Sequence, residues 1–201
     1  MVKSICFTGH RHIAKEKLPT ALAELRRVLE TAIPQGFVDF YAGGALGWDT
    51  YCAQTVLDLR EEYPCIALHL VLPCSRAEQT ARWTEAQKAA YDCIYREADS
   101  CEFVSVDYTK DCMRLRNKRL VELADCCVCF CGEPEGRSGT AQTVRTAKGH
   151  PGYQSGIVKY KSHVGVTWLF LRMERDAQFR AADFSFRRNS RRNSQRTSGP
   201  M

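Results

Sequence analysis

One stretch constrains the fold of this chain more than any other: residues 37–59, FVDFYAGGALGWDTYCAQTVLDL. It begins with a short apolar run typical of a buried strand, and then come Gly43, Gly44, Gly47 and Asp49. Apolar residues next recur at spacings of three and four, which predicts a helix. A strand, a glycine loop and a helix present unpaired backbone N–H groups at the positive end of the helix dipole, where an anion binds well.

The glycines therefore predict a ligand that carries a phosphate, because a backbone without Cβ atoms lets a phosphate approach closely. The same pattern also suits a tight turn between a strand and a helix that binds nothing. Both interpretations stay open on this stretch alone.

The size and composition of the chain suit one ordinary globular domain. Its 201 residues are enough for a core that needs no disulfides, and its 44% hydrophobic and 26% charged residues are typical values. No apolar run approaches the roughly 20 residues of a membrane span. The first residues, MVKSICFTGHRH, lack the apolar segment of a secretory signal. We therefore expect a cytoplasmic protein.

Eleven cysteines could indicate a disulfide framework, but without an export signal they favour reduced, buried thiols. The closest group is Cys127, Cys129 and Cys131, in a segment with the character of a strand. Residues two apart on one face of a strand are about 6.6 Å apart. Two sulfurs on one zinc lie within about 4.6 Å of each other. This spacing favours core packing, so we expect no metal and no other cofactor.

The positive charge is concentrated at the end of the chain. Residues 172–201 contain eight arginines and three acidic residues, a net +5 of the total +6, which leaves +1 for the other 171 residues. The end of this segment, FRRNSRRNSQRTSGPM, repeats RRNS and holds almost nothing apolar, so we interpret 172–201 as a disordered tail. A basic tail can also attract nucleic acid, and this remains an alternative.

Strand and helix patterns alternate from Lys3 onward, which predicts an α/β fold: a Rossmann-like, doubly wound and mainly parallel sheet with helices on both faces. We expect one domain over residues 1–171, with strands at 3–8, 66–72, 101–106, 125–131 and 164–171 in addition to the one described. One long helix is expected over residues 78–98. His69, inside a strand, is expected to be a core residue with one hydrogen bond.

Ligands of such folds bind beyond the carboxyl ends of the strands. Several candidate residues follow strands. Arg11, in a Gly9-His10-Arg11 turn, can donate two hydrogen bonds to a phosphate, or it is an ordinary surface arginine. Gln79 and Trp83 could cover a base or ribose, or form a polar helix start and a core tryptophan. A second loop leads into a helix at Ser138, Gly139 and Thr140.

Together these motifs resemble a known family. The sequences TGHR, GGALGWD, EQTARW and RN…ELAD…GT resemble the YpsA-like proteins of the SLOG superfamily, over about residues 3–148. That superfamily includes LOG-type nucleotide phosphoribohydrolases and DprA-type DNA-processing proteins. The resemblance implies a Rossmann-like domain that binds a nucleotide or nucleotide-derived ligand at the glycine loops. It adds Arg116 and Asn117 to the candidate ligand-binding residues.

The resemblance also bears on catalysis. Met113 and Arg116 match the Met-x-x-Arg motif of the LOG-type enzymes, and part of their Pro-Gly-Gly-x-Gly-Thr-x-x-Glu motif is kept. Thr143 stands where those enzymes have glutamate. Cleavage of an N-glycosidic bond needs a carboxylate. Asp49 or Glu78 could replace it, and Thr143→Glu is the substitution expected to restore it best. We therefore assign no catalytic residue.

The leading interpretation is a sensing or regulatory domain that binds a nucleotide-like small molecule and reports to a protein partner. The first alternative is an N-glycosidic hydrolase with a relocated carboxylate. The second is a DprA-like nucleic-acid binder that uses the basic tail. A homodimer is kept open as the assembly.

Overall fold

The structure is a computed structural model that describes residues 2–131, 136–149, 153–154, 160–161 and 167–173, the last three ranges by their backbone only. The strands are β1 (Lys3–Gly9), β2 (Phe37–Ala42), β3 (Ala67–Leu72), β4 (Ser100–Phe103), β5 (Cys126–Cys131), β6 (Tyr153–Gln154), β7 (Tyr160–Lys161) and β8 (Thr167–Met173). The α-helices are α1 (Leu18–Ala32), α2 (Trp48–Leu59), α3 (Arg76–Thr80), α4 (Glu85–Glu97), α5 (Cys112–Leu123) and α6 (Gly139–Lys148).

These strands form one sheet in the order β4-β3-β2-β1-β5-β8-β6, with β7 also paired to β8. The strands β1 to β5 are all parallel to one another, whereas β8 runs antiparallel to β5. The predicted Rossmann-like, mainly parallel sheet is confirmed. Strand order reverses between β1 and β5, and such a switch point opens a crevice at the carboxyl ends of the strands.

Two apolar layers cover the two faces of the sheet. On one face, residues of α1, α2 and α4 pack on alternate positions of the strands, among them Leu25, Val56, Ile94, Phe40 and Leu70. On the other face, α5 and α6 pack on the intervening positions, with Leu120, Val144, Tyr41, Val71 and Cys129 in contact. This alternation between faces is the reason why the strands are apolar at nearly every position.

The long helix expected over residues 78–98 is wrong: the chain forms α3 and α4 with a turn between them. Thr84 caps α4, because its Oγ1 accepts from the Gln87 backbone N–H at 3.3 Å. The Gln87 side chain in turn accepts from the Thr84 backbone N–H at 2.9 Å. This reciprocal cap satisfies two helix-end donors, so the helix begins here and leaves Trp83 in the turn.

The cysteines are partly as expected. Cys127, Cys129 and Cys131 are buried together under α5 and α6, so their assignment to the core is confirmed. Cys65 and Cys93 are exposed, which corrects the expectation that all eleven are buried. No cysteine forms a disulfide in the described residues, which include all eleven. Within the same residues no group of three or more His, Cys, Asp or Glu is arranged around a metal position.

Two further expectations need correction. His69 has two polar contacts instead of one, because its Nε2 lies 3.1 Å from Asp39 Oδ1 and its Nδ1 lies 2.8 Å from Ser100 Oγ. The last strand is displaced, since β8 ends at Met173, two residues inside the predicted tail. The rest of that tail lies outside the described residues. None of the helices in the described ranges has the length and apolar character needed to cross a membrane.

Candidate functional site

A cleft of about 610 Å³ opens at the carboxyl edge of the sheet. The segments that follow β1, β2, β3 and β4 form its walls together with the start of α5. Its lining consists of Arg11, Ala45, Leu46, Glu78, Gln79, Ala81, Arg82, Trp83, Tyr108 and Met113. The location agrees with the rule that open parallel sheets bind ligands beyond the carboxyl ends of their strands.

The glycine loop, residues 43–47, is filled by the protein itself. A Cβ on Gly43 would lie 1.5 Å from Arg116 Nη1, and a Cβ on Gly47 would lie 2.1 Å from the Arg11 carbonyl oxygen. Gly47 also has a φ of +81°, a region that favours glycine. Glycine is therefore required at position 47 by the backbone, and at position 43 it leaves room for the Arg116 guanidinium, whether or not a phosphate binds.

Two more predicted glycines have the same kind of role. A Cβ on Gly9 would lie 2.4 Å from the Trp48 ring, and a Cβ on Gly44 would lie 2.4 Å from Leu72 Cδ2. The turn after β1 is fixed to α2 as well, because the Trp48 backbone N–H donates to the His10 carbonyl at 3.1 Å. These contacts join the loops after β1 and β2 into one packed unit.

Asp49 and Arg116, both predicted as ligand-binding residues, form a buried ion pair. Arg116 Nη1 lies 2.8 Å from Asp49 Oδ2, and the two side chains are 8% and 6% exposed. Asp49 Oδ2 also accepts from the Ala45 backbone N–H at 3.4 Å. Arg116 Nη2 contacts only Met113 Sδ, at 4.0 Å, and its Nε has no hydrogen-bond partner in the described part of the chain. The pair stabilises the glycine loop from the interior of the protein, through the contacts of Asp49 with Ala45 and of Arg116 with Gly43.

Gln79 and Trp83 line the cleft, as the predicted ligand role requires, but both also pack inward. Gln79 Nε2 donates to the Gly44 carbonyl at 2.7 Å, and Tyr91 donates to Gln79 Oε1 at 3.4 Å. Burial raises the pKa of Tyr91 well above its usual value, so its hydroxyl remains a donor. Trp83 meets the Tyr91 ring edge-to-face at 5.5 Å. Both residues are thus held in position before any ligand binds.

Three charged side chains of the cleft are exposed: Arg11, Arg82 and Glu78. Neither arginine forms an ion pair with any residue that the structure describes. One oxygen of Glu78, Oε2, accepts from the Tyr108 backbone N–H. Unpaired guanidinium groups beside aromatic rings suit an anionic ligand with a planar part.

The second predicted loop does not line this cleft. Ser138 caps α6 by accepting from the Ala141 N–H at 3.1 Å, and Asn117 Nδ2 lies 3.5 Å from the Gly139 carbonyl. Thr140 is buried, whereas a Cβ on Gly139 would have its nearest neighbour at 4.0 Å. The ligand role of these four residues therefore stays a prediction for a separate surface.

Thr143 is fully buried, and its Oγ1 donates to the Gly139 carbonyl at 3.0 Å. The expectation that Thr143→Glu is the best route to weak activity stays a prediction, and the burial of this position weighs against it. A glutamate there would bury its charge under α6 instead of presenting it to a ligand.

Sequence reasoning missed Arg82 and Tyr108. Arg82 lies in the turn between α3 and α4, where a continuous helix was expected. Tyr108 lies between β4 and α5, in a segment with no clear periodicity.

Two buried thiols belong to the same segments of the chain: Cys74 follows β3, and Cys112 begins α5. Burial raises the pKa of Cys74 to about 11, and the neighbouring Cys112 adds to the effect. Both thiols are fully buried and lie outside the lining.

Comparison with known proteins identifies the family. The sequence profile named YpsA, described as the YspA SLOG family, matches residues 6–161. The chain belongs to this family. The predicted resemblance is therefore confirmed, and the match includes the glycine loop, α3, the Met113–Arg116 segment and the start of α6.

Relatives of the YpsA family in bacteria are similar over part of their length. A UPF0398 protein of Bacillus pumilus is 32% identical over 111 residues, which cover 52% of this chain and 59% of that protein. A UPF0398 protein of Bacillus velezensis is 26% identical over 145 residues, covering 66% and 78% respectively. The chain thus spans only about three fifths of the length of the B. pumilus relative.

Among solved structures, the chain is similar to DNA processing protein A from Helicobacter pylori, which is described by its single-stranded DNA binding mode. The TM-score is 0.50 with 17% sequence identity, and the match covers 73% of this chain and 60% of that one. At this identity the likeness establishes the shared fold.

Proposed function

We propose that this protein binds a nucleotide or nucleotide-derived ligand in the cleft and acts as a sensing or regulatory domain. The observation that carries the proposal is the lining itself: Arg11 and Arg82, which have no ion pair among the described residues, lie in the same cleft as the rings of Trp83 and Tyr108. Guanidinium groups recognise phosphate, and aromatic rings stack on a base. A volume of about 610 Å³ lies in the range of small-molecule sites.

The same lining favours binding over bond cleavage. Of the two carboxylates considered as catalytic substitutes, Asp49 is buried and neutralised by Arg116. Glu78 remains, with one oxygen engaged by Tyr108. Within the described residues, the cleft thus offers a single carboxylate and lacks the second group that glycoside hydrolysis uses as its acid–base partner. We expect the ligand to leave unchanged and its occupancy to be read by a protein partner.

The test combines binding with turnover. Titration calorimetry with nucleoside mono-, di- and triphosphates should show saturable binding with 1:1 stoichiometry. Mass spectrometry of the small molecules that the purified protein releases when it is denatured should identify a ligand that co-purifies. Chromatography after long incubation should detect no free base above a heat-killed control. Base release that is lost in Glu78→Gln would instead make the protein a hydrolase. Absence of binding to every nucleotide would reject the proposal.

A second candidate is single-stranded nucleic acid, favoured by exposed apolar residues next to the cleft. Phe103, Val106 and Tyr108 are 44%, 82% and 58% exposed, and the two aromatic rings among them can stack on bases. The neighbour of similar fold is described as binding single-stranded DNA. Fluorescence anisotropy with an oligothymidine should decide. Tight binding that weakens steeply with salt, and that is lost when residues 174–201 are removed, would favour this candidate and the basic tail.

A further inference from the structure

Resting on the proposed function, we infer that Glu78 accepts a hydrogen bond from the ribose hydroxyls of the ligand, so that the cleft selects ribonucleotides over nucleotides without these hydroxyls. The charges of the lining are asymmetric: it contains two cations and one anion, and no two of these three side chains form an ion pair with each other.

Glu78 lies in the first turn of α3 with its side chain exposed at the cleft. Its Oε2 is held by the Tyr108 backbone N–H, which fixes the carboxylate against the segment between β4 and α5. Among the described residues no donor contacts its Oε1. The carboxylate is therefore positioned, and one oxygen remains for a ligand.

An ionised carboxylate only accepts hydrogen bonds, so a ligand must present an O–H or N–H group to it. It also repels phosphate, whereas Arg11 and Arg82 attract phosphate. The ligand is thus oriented, with its phosphates at the arginines and a neutral donor group at Glu78. In a nucleotide, the ribose hydroxyls and the donors of the base are the groups that meet this requirement.

The position of the carboxylate favours the sugar. The Tyr108 N–H takes one acceptor site of Oε2 and leaves Oε1 as the oxygen with both of its acceptor sites open. An acidic side chain at the carboxyl edge of a parallel sheet is also well suited to a ribose hydroxyl, because the phosphate and sugar lie closest to the strand ends. A ligand without these hydroxyls would leave Glu78 desolvated and unpaired.

The experiment is a cycle of two proteins and two ligand types. The four ribonucleoside 5′-triphosphates and their 2′,3′-dideoxy counterparts are titrated by calorimetry into the full-length chain and into Glu78→Ala. We expect the unmodified protein to prefer the ribonucleotide at least tenfold, about 1.4 kcal/mol. In Glu78→Ala the preference should fall below threefold, because affinity for the ribonucleotide drops, whereas the dideoxynucleotide no longer leaves a carboxylate unpaired and binds at least as tightly as before.

The outcomes separate this inference from the proposed function. Equal affinity of the unmodified protein for both ligand types would overturn the inference alone. So would an equal loss for both in Glu78→Ala, since Glu78 would then read the base or only hold Tyr108. If no nucleotide binds, the proposed function fails and the inference fails with it. Should Glu78→Ala not fold, Glu78→Gln keeps an oxygen for the Tyr108 N–H. Its preference for the ribonucleotide over the dideoxynucleotide should be at least threefold weaker than that of the unmodified protein, because a neutral acceptor is weaker.

Discussion

The glycine loop and the opposite wall of the cleft, formed by α3, the turn at 81–83 and Tyr108, differ in how their polar groups are satisfied. In the glycine loop, the missing Cβ atoms of Gly43 and Gly47 make room for Arg116 and for the Arg11 backbone. Its charged supports, Asp49 and Arg116, are buried and paired. In the opposite wall, Glu78 and Arg82 are exposed and form no ion pair within the described residues.

This difference separates two roles that sequence motifs tend to merge. Within these motifs, Gly43, Gly47 and Asp49 hold the loops together. Arg11, Glu78 and Arg82 belong to the motifs TGHR and EQTARW, and they face the cleft. A charged group that is buried and paired contributes to folding, whereas an exposed and unpaired one is available to a ligand. Substitutions in the glycine loop should therefore lower stability, and substitutions in the opposite wall should lower affinity.

The largest effect is expected for Asp49→Ala. It would leave the guanidinium of Arg116 buried without its partner, and breaking a buried pair in this way costs about 3–5 kcal/mol of unfolding free energy. The matched control is Glu102→Ala. Glu102 pairs with Arg119 at 2.8 Å, but both side chains are about one-third exposed, so we expect less than about 1 kcal/mol. Urea denaturation measures both.

Equal and small losses in the two variants would show that Arg116 finds another partner or water. The comparison between a supporting loop and a binding wall would then lose its energetic basis.

The fold was predictable wherever local pattern and burial agree. β2, the glycine loop and α2 follow one another as expected, because a short apolar run and a helical period are both strong in residues 37–59. The sequence also indicates the break between α3 and α4, since Thr84 and Gln87 have the spacing of a reciprocal cap. It was missed because the apolar period continues across the turn.

The cleft was less predictable because it depends on contacts between distant residues. Asp49 and Arg116 are 67 positions apart, and no local pattern shows that they pair. Tyr108 reaches the cleft because the segment after β4 packs against the segment after β3, where the Ser75 N–H donates to the Val106 carbonyl at 3.4 Å. Sequence identified the loops at the correct edge of the sheet, but it did not show which side chains are already engaged.

A smaller effect on stability is expected for Gly47→Ala, compared with Gly139→Ala. Alanine at position 47 would need a φ near +81° and would place its Cβ 2.1 Å from the Arg11 carbonyl oxygen. Strain and overlap of this kind together cost about 3 kcal/mol. Alanine at position 139 meets only Asn117, at 4.0 Å, and should change stability by less than about 1 kcal/mol. Thermal unfolding of both variants tests whether glycine is required by packing. A neutral Gly47→Ala would contradict it.

The smallest effect on stability is expected for Arg11→Ala and Arg82→Ala. These two variants test whether exposed arginines of the cleft contribute to ligand affinity and not to folding. Both side chains are exposed and form no ion pair among the described residues, so the free energy of unfolding should change by less than about 0.5 kcal/mol. Nucleotide affinity should nevertheless fall at least tenfold, since a hydrogen bond to a charged group contributes about 1.5–3 kcal/mol.

The control is Arg114→Ala, which removes an exposed arginine that pairs with Asp111 and does not line the cleft. Calorimetry should show unchanged affinity in the control. If all three variants bind equally well, the arginines of the cleft do not contact the ligand, and the ligand must bind at another surface, for which the start of α6 at Ser138 is the remaining predicted position.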